Sequence, residues 1–432
     1  MDLEDRLNLD PNLPKWGTSD NASNMVKAIN MSNVELYRCL NHTQQLAIQD
    51  ALKAFKDTDD GETMADIAEK CKKLADHVKR ADVSRKLLFD ECEESDHYPK
   101  MIPVGNDTRW DSTLACMEGV AYHEECLLRL ARKGQMMVER EGVQRKIIPS
   151  ISNFLMIKAG IKILKHCQIT TKVFEQEKVP TVPLVASRLY SVQQELEQFT
   201  KDKDNKRSQP KAVEFAKVLT AKIEERIPEF GTTNIINAMG DYLNPSSKGV
   251  HLKLLKKFDE TKEEMEEKLG EWKSEVTEDQ EVEELHEEQV TEPPKKLSFT
   301  EMLKKRMEKE EKQKEKRRSK QTRSSVFGNS SKETASDFKR ECVTYETVVK
   351  DADPEVDMLD WWKQNKDTLP LLAYLARVVF AVPVASSKSE RVFSVAGNTV
   401  SAKRASLDPG KVEDLVIIKS NVSILRQLGI RK

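Results

Sequence analysis

The sequence predicts a mostly α-helical protein with a short α/β segment near its N-terminus. Apolar residues recur at helical spacing through most of 63–229. Two short strand-like runs, at 15–19 and 36–40, alternate with helical patterns in the first 60 residues. Charged residues make up 33% of the chain and apolar residues 38%, so the excess charge must lie in solvated segments rather than in cores.

The first 60 residues are predicted to form one partial α/β domain. A strand ends at Ser19, a short helix covers 24–30, a second strand follows at 36–40, and a second helix covers 43–55. Residues 61–255 are predicted to form an all-helical domain, as the spacing of Phe154, Ile157, Ile161 and Leu164 illustrates.

Residues 256–340 are predicted to be a charged, disordered linker. Paired glutamates lead to Pro293-Pro294, and a basic run ends at Lys320. Such a segment buries too little apolar surface to offset the entropy of ordering it. The run Lys316–Lys320 has the composition of a nuclear-import signal, although a solvated charge run explains it equally well.

Residues 341–432 are predicted to fold into a compact helical region. One helix starts at Pro370, and another starts at Asp408-Pro409, which has N-cap and N1 chemistry. Their apolar faces are large for so small a unit, which indicates packing on another domain or another chain. The predicted self-association residues are Leu371, Leu372, Leu375, Val378, Val379, Phe393, Val412, Leu415 and Val416.

Composition and motifs exclude several classes of function. The net charge of −2 provides no overall basic field for nucleic acid. Seven scattered cysteines do not form a secreted disulfide framework, and no apolar run approaches the roughly 18 residues that span a bilayer. No Gly-rich phosphate loop, G-x-S-x-G or H-E-x-x-H is present. We expect an intracellular protein with no membrane segment and no small-molecule substrate.

Two acidic residues have both a structural and a catalytic interpretation. Ser387 and Glu390 have the S-x-x-E spacing of a capping box, the simpler interpretation in isolation. Asp20 lies where a strand ends and a helix begins, so it is either an N-cap or a carboxylate for divalent metal.

Three further motifs also leave alternatives open. Cys39-x2-His42 and His123-x2-Cys126 have zinc-like spacing, but nothing in the sequence puts the two pairs together. Arg109-Trp110 follows a turn signal; the tryptophan either stacks on an unpaired base or packs into the helical domain.

The order of these motifs resembles a known family. Segments 18–25 (Thr-Ser-Asp-Asn-Ala-Ser-Asn-Met), 38–43 (Arg-Cys-Leu-Asn-His-Thr), 108–113 (Thr-Arg-Trp-Asp-Ser-Thr) and 389–394 (Ser-Glu-Arg-Val-Phe-Ser) resemble landmark motifs of the hAT-superfamily DNA transposases. The BED-finger group of domesticated relatives is the most similar. Residues 369–424 resemble the C-terminal dimerisation region of the family and form the most specific match.

The resemblance implies an RNase H-like α/β core, interrupted by a large all-helical insertion and completed by the C-terminal region. By motif, Asp20 and Glu390 match the second aspartate and the glutamate of a two-metal triad. Cys39 and His42 match the family's C-x2-H motif, and Arg109 and Trp110 match a segment whose tryptophan stacks on a flipped base. Mg²⁺ or Mn²⁺ is implied only if catalysis is retained.

The departures from the family lead to the predicted function. Asp2, Asp5 and Asp10 lie in a polar, Pro-containing stretch, so none fits the first aspartate, and no BED finger is present. We expect a truncated core in a catalytically incomplete protein, a nuclear or alternatively cytoplasmic homodimer or higher oligomer with DNA as a candidate partner. The alternatives are a two-metal transposase, if an upstream segment is missing, and a helical protein-interaction scaffold.

Overall fold

The chain is mostly helical in a computed structural model, as the sequence predicts. Two compact units can be distinguished, one made of residues 16–241 and 380–422, the other of residues 242–379. The structure describes residues 16–20, 22–31, 34–54, 62–105, 110–140, 143–287, 330–353, 355–399, 409–420 and 422.

Two short parallel strands begin the first unit. β1 (Trp16–Ser19) pairs with β2 (Glu35–Arg38), with Trp16 opposite Glu35 and Ser19 opposite Arg38. Parallel strands need a crossover, and α1 (Ser23–Asn30) provides it. α2 (Leu40–Lys53) begins directly after β2. The predicted strand–helix–strand–helix order is therefore confirmed, with boundaries that differ by a few residues.

A helical array forms most of the first unit. Its core is built around α7 (Ile151–Phe174), a 24-residue helix. This helix packs against α2, α3 (Met64–Arg80), α5 (Trp110–Tyr122), α8 (Val185–Lys201) and α10 (Pro210–Arg226). Gly160 of α7 permits close packing, because a Cβ atom there would lie 2.6 Å from the Met64 sulfur. The remaining elements are α3 (Met64–Arg80), α4 (Asp82–Glu94), α5 (Trp110–Tyr122), α6 (Glu124–Arg132), β3 (Met137–Arg140), β4 (Val143–Lys146), α7 (Ile151–Phe174), α8 (Val185–Lys201), α9 (Lys203–Ser208), α10 (Pro210–Arg226) and α11 (Ile235–Leu243).

The second unit corrects the predicted linker. Helix α13 starts at Phe258 and buries Met265, Leu269 and Trp272, so the segment from 258 to 273 is folded rather than disordered. These apolar residues recur at helical spacing within a strongly acidic sequence. The average composition of the segment therefore predicted disorder although one face of the helix is apolar. The unit contains α12 (Val250–Leu254), α13 (Phe258–Glu287), α14 (Ser330–Val348), α15 (Met358–Asn365) and α16 (Pro370–Phe380).

Residues 288–329 of the predicted linker, including Lys316–Lys320, lie outside the described residues. Helix α14 packs against α13 and buries Phe338. The division into four domains stays a prediction.

Buried polar contacts orient the helices of the second unit. The Glu341 carboxylate accepts hydrogen bonds from the amides of Leu371 and Leu372, at 2.9 and 3.0 Å, in the first turn of α16. Since the first amides of a helix have no intrahelical acceptor, this buried carboxylate satisfies them. The indole of Trp362 donates to the Leu243 carbonyl at 2.9 Å. Pro370 begins α16, as predicted.

The first prediction concerns the capping box of α3. Thr63 Oγ1 accepts from the Asp66 amide at 3.3 Å, and Asp66 accepts from the Thr63 amide at 2.9 Å. We expect Thr63→Ala to lower the free energy of unfolding by about 1 kcal/mol, because one helix-end amide loses its acceptor. Urea titration followed by circular dichroism measures this. Thr200→Ala, at an exposed hydroxyl that bonds within its own helix, is the control and should change little.

Acid should reduce the effect of Thr63→Ala. Hydrogen bonds from the Thr63 amide and hydroxyl lower the pKa of Asp66. A carboxyl group whose pKa is lower in the folded state than in the unfolded state stabilises the fold fully at pH values above the usual carboxyl pKa. This stabilisation is lost as the pH falls through the folded-state pKa. The difference between wild type and Thr63→Ala should therefore shrink in that acidic range. A difference that grows there would contradict the assignment.

The second prediction concerns the anchor of β2. The buried Tyr37 hydroxyl donates to Asn237 Oδ1 at 2.6 Å, and the Asn237 amide donates to the Gly231 carbonyl at 3.0 Å. We expect Tyr37→Phe to cost between about 1 and 2 kcal/mol of unfolding free energy, because a buried acceptor loses its donor. Tyr98→Phe, at a side chain that is 72% exposed, is the matched control. Equal effects of the two substitutions would show that the buried bond contributes nothing.

Candidate functional site

The candidate site lies where β1 and β2 end. The Cys39 amide donates to the Ser19 carbonyl at 2.8 Å, which extends the strand pair by one hydrogen bond. A much later segment, 382–386, runs beside these ends. The Leu40 amide donates to the Val384 carbonyl at 2.9 Å, and the Thr18 hydroxyl donates to the Pro383 carbonyl. The fold thus brings residues 382–386 next to the ends of β1 and β2, more than 300 residues earlier in the sequence.

Glu390 lies in the first turns of the helix that follows this segment. Helix α17 (Ser387–Thr399) starts after Ser386, whose hydroxyl donates to Glu390 Oε1 at 2.9 Å. Ser386 is itself held by its amide, which donates to Cys39 Sγ at 3.4 Å. The predicted capping box of Ser387 with Glu390 is therefore wrong. Ser387 is helical, and its hydroxyl donates to Glu175 at 3.4 Å.

Asp20 lies at the same end of the strand pair, directly after β1. Its Oδ1 atom accepts from the Ala22 amide at 3.3 Å and from the Ser19 hydroxyl at 3.4 Å. An aspartate that bonds the backbone two residues ahead stabilises a tight turn. Ala22, and not Asp20, occupies the N-cap position of α1, so the N-cap interpretation of Asp20 is wrong.

The C-x2-H motif opens α2. Cys39 is buried at the N-cap position, and half-buried His42 follows in the first turn. The Cys39 sulfur accepts the Ser386 amide, so this side chain joins β2 to the segment that carries Glu390. The second zinc-like pair is elsewhere: His123 contacts Cys92 in the helical array, 3.4 Å from Nδ1 to Sγ.

The described residues do not fit a two-metal centre. Such centres need two or three carboxylates around ions about 3.5–4 Å apart. Within the described ranges, no three His, Cys, Asp or Glu side chains are grouped so that they could hold an ion. Asp20 and Glu390 are each engaged by neighbouring hydroxyl or amide groups. No catalytic step can be derived from this arrangement.

The structure places Trp110 in the core. It begins α5, is only 4% exposed and belongs to the hydrophobic core of the helical array. The expectation of an exposed tryptophan is wrong, and the packed alternative describes what is observed. Arg109 lies outside the described residues.

Most of the predicted self-association residues of α16 are core residues of the protomer. Leu372, Leu375, Val378 and Val379 are buried within the chain, and Leu371 is half-buried. The prediction that the four buried side chains contact a second copy is wrong. A helical stripe shows which face is covered, but it does not show whether the cover belongs to the same chain.

The apolar residues of the last two helices are more accessible. Phe393 on α17 is 66% exposed, and Leu415 on α18 (Pro409–Ser420) is 37% exposed. Ile418, which the sequence analysis did not single out, is 39% exposed and lies one turn after Leu415. Val412 and Val416 are half-buried. We call Phe393, Leu415 and Ile418 the C-terminal apolar surface.

Membrane insertion has no candidate segment in the described part of the chain, where no helix combines the length and apolar character needed to cross a bilayer.

Comparisons with known proteins agree with the resemblance of the C-terminal region. The hAT family C-terminal dimerisation region matches residues 338–422, which contain the second part of α14, α15 to α18 and the segment beside β1 and β2. The zinc finger BED domain-containing protein DAYSLEEPER of Arabidopsis thaliana is 36% identical over 74 residues, or 16% of this chain. That match spans about a tenth of the relative's length, 11%. Residues 338–422 of this chain are thus similar to the C-terminal dimerisation region of the hAT family.

Proposed function

We propose that this chain is a transposase-derived protein that works by self-association through its hAT C-terminal region and not by cutting DNA. The observation that carries the proposal is the match to a dimerisation region over 338–422. The C-terminal apolar surface lies within that match, on two helices that pack against each other.

The exposure of this surface supports a second copy of the chain as its partner. An aromatic side chain that is 66% exposed leaves most of its apolar area in water. Burying a large apolar side chain contributes roughly 1.5–3 kcal/mol. In a two-fold dimer the same patch is buried on both subunits, so each of these residues contributes once per subunit.

The site at the ends of β1 and β2 is proposed to be a remnant of an RNase H-like core. Two parallel strands, a C-terminal segment along their ends and acidic residues at one edge support this proposal. Asp20 and Glu390 act here as local hydrogen-bond acceptors that shape a turn and a helix start. This role needs no metal.

A nuclear location and contact with DNA or chromatin are part of the proposal. The Arabidopsis relative is a zinc finger BED domain-containing protein. Zinc fingers commonly bind DNA, and a dimer can present two such contacts at a set spacing. Because Trp110 is buried, base stacking at this residue is not part of the proposal.

The third prediction tests self-association. We expect the full chain to form dimers or larger oligomers in size-exclusion chromatography with light scattering. The double substitution Phe393→Glu with Leu415→Glu should raise the dissociation constant by at least about tenfold, because burying an unpaired charge in an interface costs more than about 1.4 kcal/mol.

The matched control is Val83→Glu, which places the same charge at an exposed apolar residue of α4, far from the matched region in sequence. It should leave the oligomer unchanged. A wild-type chain that is monomeric at all concentrations, with a native circular dichroism spectrum, would refute the proposed function.

The fourth prediction separates the proposal from the transposase alternative. We expect no nicking of supercoiled DNA in Mg²⁺ or Mn²⁺, because the described acidic residues do not form a metal-binding group. Nicking that disappears in both Asp20→Asn and Glu390→Gln, but persists in the surface variant Asp82→Asn, would establish the enzyme instead.

A further inference from the structure

An open groove follows α1 and the end of β2 in the first unit. Its volume is about 560 Å³, and α1, which has no buried residue, forms one side of it. The residues that line it are Ser23, Val26, Lys27, Asn30, Met31 and Arg38. The first five recur at helical spacing, so they lie on one face of α1 and its C-terminal cap. The sixth is the last residue of β2.

The groove carries a positive charge. Lys27 and Arg38 are both exposed, and the other lining residues are uncharged. Neither side chain forms an ion pair or a hydrogen bond with the residues that the structure describes. Lys165 of α7, by contrast, lies 2.7 Å from the carboxylate of Glu118. The two charges of the groove are therefore left to attract an anionic ligand.

The polar groups of the groove are hydrogen-bond donors. The Ser23 hydroxyl, the Asn30 amide and both cations can donate to an oxygen of a ligand. Phosphate oxygens only accept hydrogen bonds, and a guanidinium binds them with two parallel N–H groups. The described lining contains no carboxylate that would repel an anion. It therefore suits a ligand that carries phosphate.

The length of the groove favours a chain of phosphates over a single ion. Ser23 and Asn30 are about 10 Å apart along the helix axis, at about 1.5 Å per residue. A site for one free phosphate instead collects its donors around a single point. Half-buried Val26 and Met31, which is 55% exposed, add apolar surface on which a sugar or a base can rest. A nucleic-acid strand has both the phosphates and these less polar parts.

An acidic peptide fits the groove less well. Peptides that dock on a protein surface usually insert apolar or aromatic anchors into pockets. Val26 and Met31 are the only large apolar side chains in the described lining, which contains no aromatic residue. The DNA backbone, which needs donors more than apolar anchors, is therefore the favoured ligand.

We propose that this groove binds the phosphodiester backbone of DNA, with Lys27 and Arg38 each contacting one phosphate. The proposal rests on the DNA contact in the proposed function and gives that contact a location. The net charge of −2 supplies no general attraction, so binding has to come from a local group of cations. Contacts to the backbone carry no sequence information directly, and we expect little preference among DNA sequences.

The salt dependence of DNA binding tests the two contacts. Fluorescence anisotropy of a labelled duplex of about 20 base pairs, titrated with the full chain between about 50 and 200 mM salt, gives the slope of log K against log salt concentration. Each lost phosphate contact reduces the magnitude of this slope by about 0.9, so Lys27→Gln with Arg38→Gln should reduce it by about 1.8. At the lower salt concentration this double variant should bind at least about tenfold more weakly, because two charge-assisted hydrogen bonds are lost.

Two further double variants are the controls. Lys86→Gln with Arg132→Gln removes the same charge from exposed residues of α4 and α6 and should leave the affinity and the slope unchanged. Lys27→Arg with Arg38→Lys keeps both charges and should retain the wild-type slope. All three double variants alter exposed side chains, so we expect native circular dichroism spectra.

The outcomes separate the groove from the rest of the proposed function. If wild type binds DNA but the Lys27→Gln, Arg38→Gln variant keeps its slope, or the control pair weakens binding equally, the groove is refuted and DNA is contacted elsewhere. Absence of wild-type binding refutes both the groove and the proposed DNA contact. Displacement of DNA by polyglutamate at equal charge concentration would make an acidic polypeptide the ligand and overturn the proposal. Self-association is measured by light scattering without DNA, so it stands or falls independently.

Discussion

The hydrogen bonds between residues 382–386 and the ends of β1 and β2 are the constraint on which the candidate site depends. A two-stranded pair is marginally stable alone, and its terminal backbone groups need partners. The Val384 carbonyl accepts from Leu40, and the Ser386 amide donates to Cys39. Because α17 begins immediately afterwards, this pairing also determines where Glu390 lies. These contacts bring the start of the Glu390 helix to the end of the strand pair after which Asp20 lies.

Some apolar residues of the C-terminal region are buried in the protein core, and others are exposed to solvent. Helix α16 buries Leu372, Leu375, Val378 and Val379, and Glu341 satisfies the amides at its start. Helices α17 and α18 instead keep Phe393, Leu415 and Ile418 accessible. Apolar surface that stays in water is costly unless a partner covers it. The part of the matched region available for self-association is therefore smaller than its hydrophobic pattern suggests.

Cysteine and histidine have different roles in the two zinc-like pairs. Cys39 accepts a backbone amide and thereby connects distant segments, a role that needs no metal. His123 instead contacts Cys92 within the helical array, and its Nε2 atom is hydrogen-bonded to the Lys100 carbonyl. The spacing of each pair is nearly the same. The surrounding side chains, which come from distant parts of the sequence, make the difference.

Elements with local signals could be predicted from the sequence. Helical periodicity located the long array, alternating runs located β1 and β2, and the C-terminal motif indicated the resemblance to the hAT dimerisation region. The sequence could not locate the folded part of α13, whose buried Met265, Leu269 and Trp272 lie among acidic residues. Nor could it show that Trp110 is a core residue, since an amphipathic pattern specifies a covered face but not what covers it.

Tertiary structure alone decided the site. Glu390 meets Ser386 rather than Ser387, Cys39 contacts a segment almost 350 residues away, and Cys92 meets His123 across two helices. Each depends on non-local packing, because hydrogen bonds and metal sites require atoms within a few ångströms, whatever their separation in sequence.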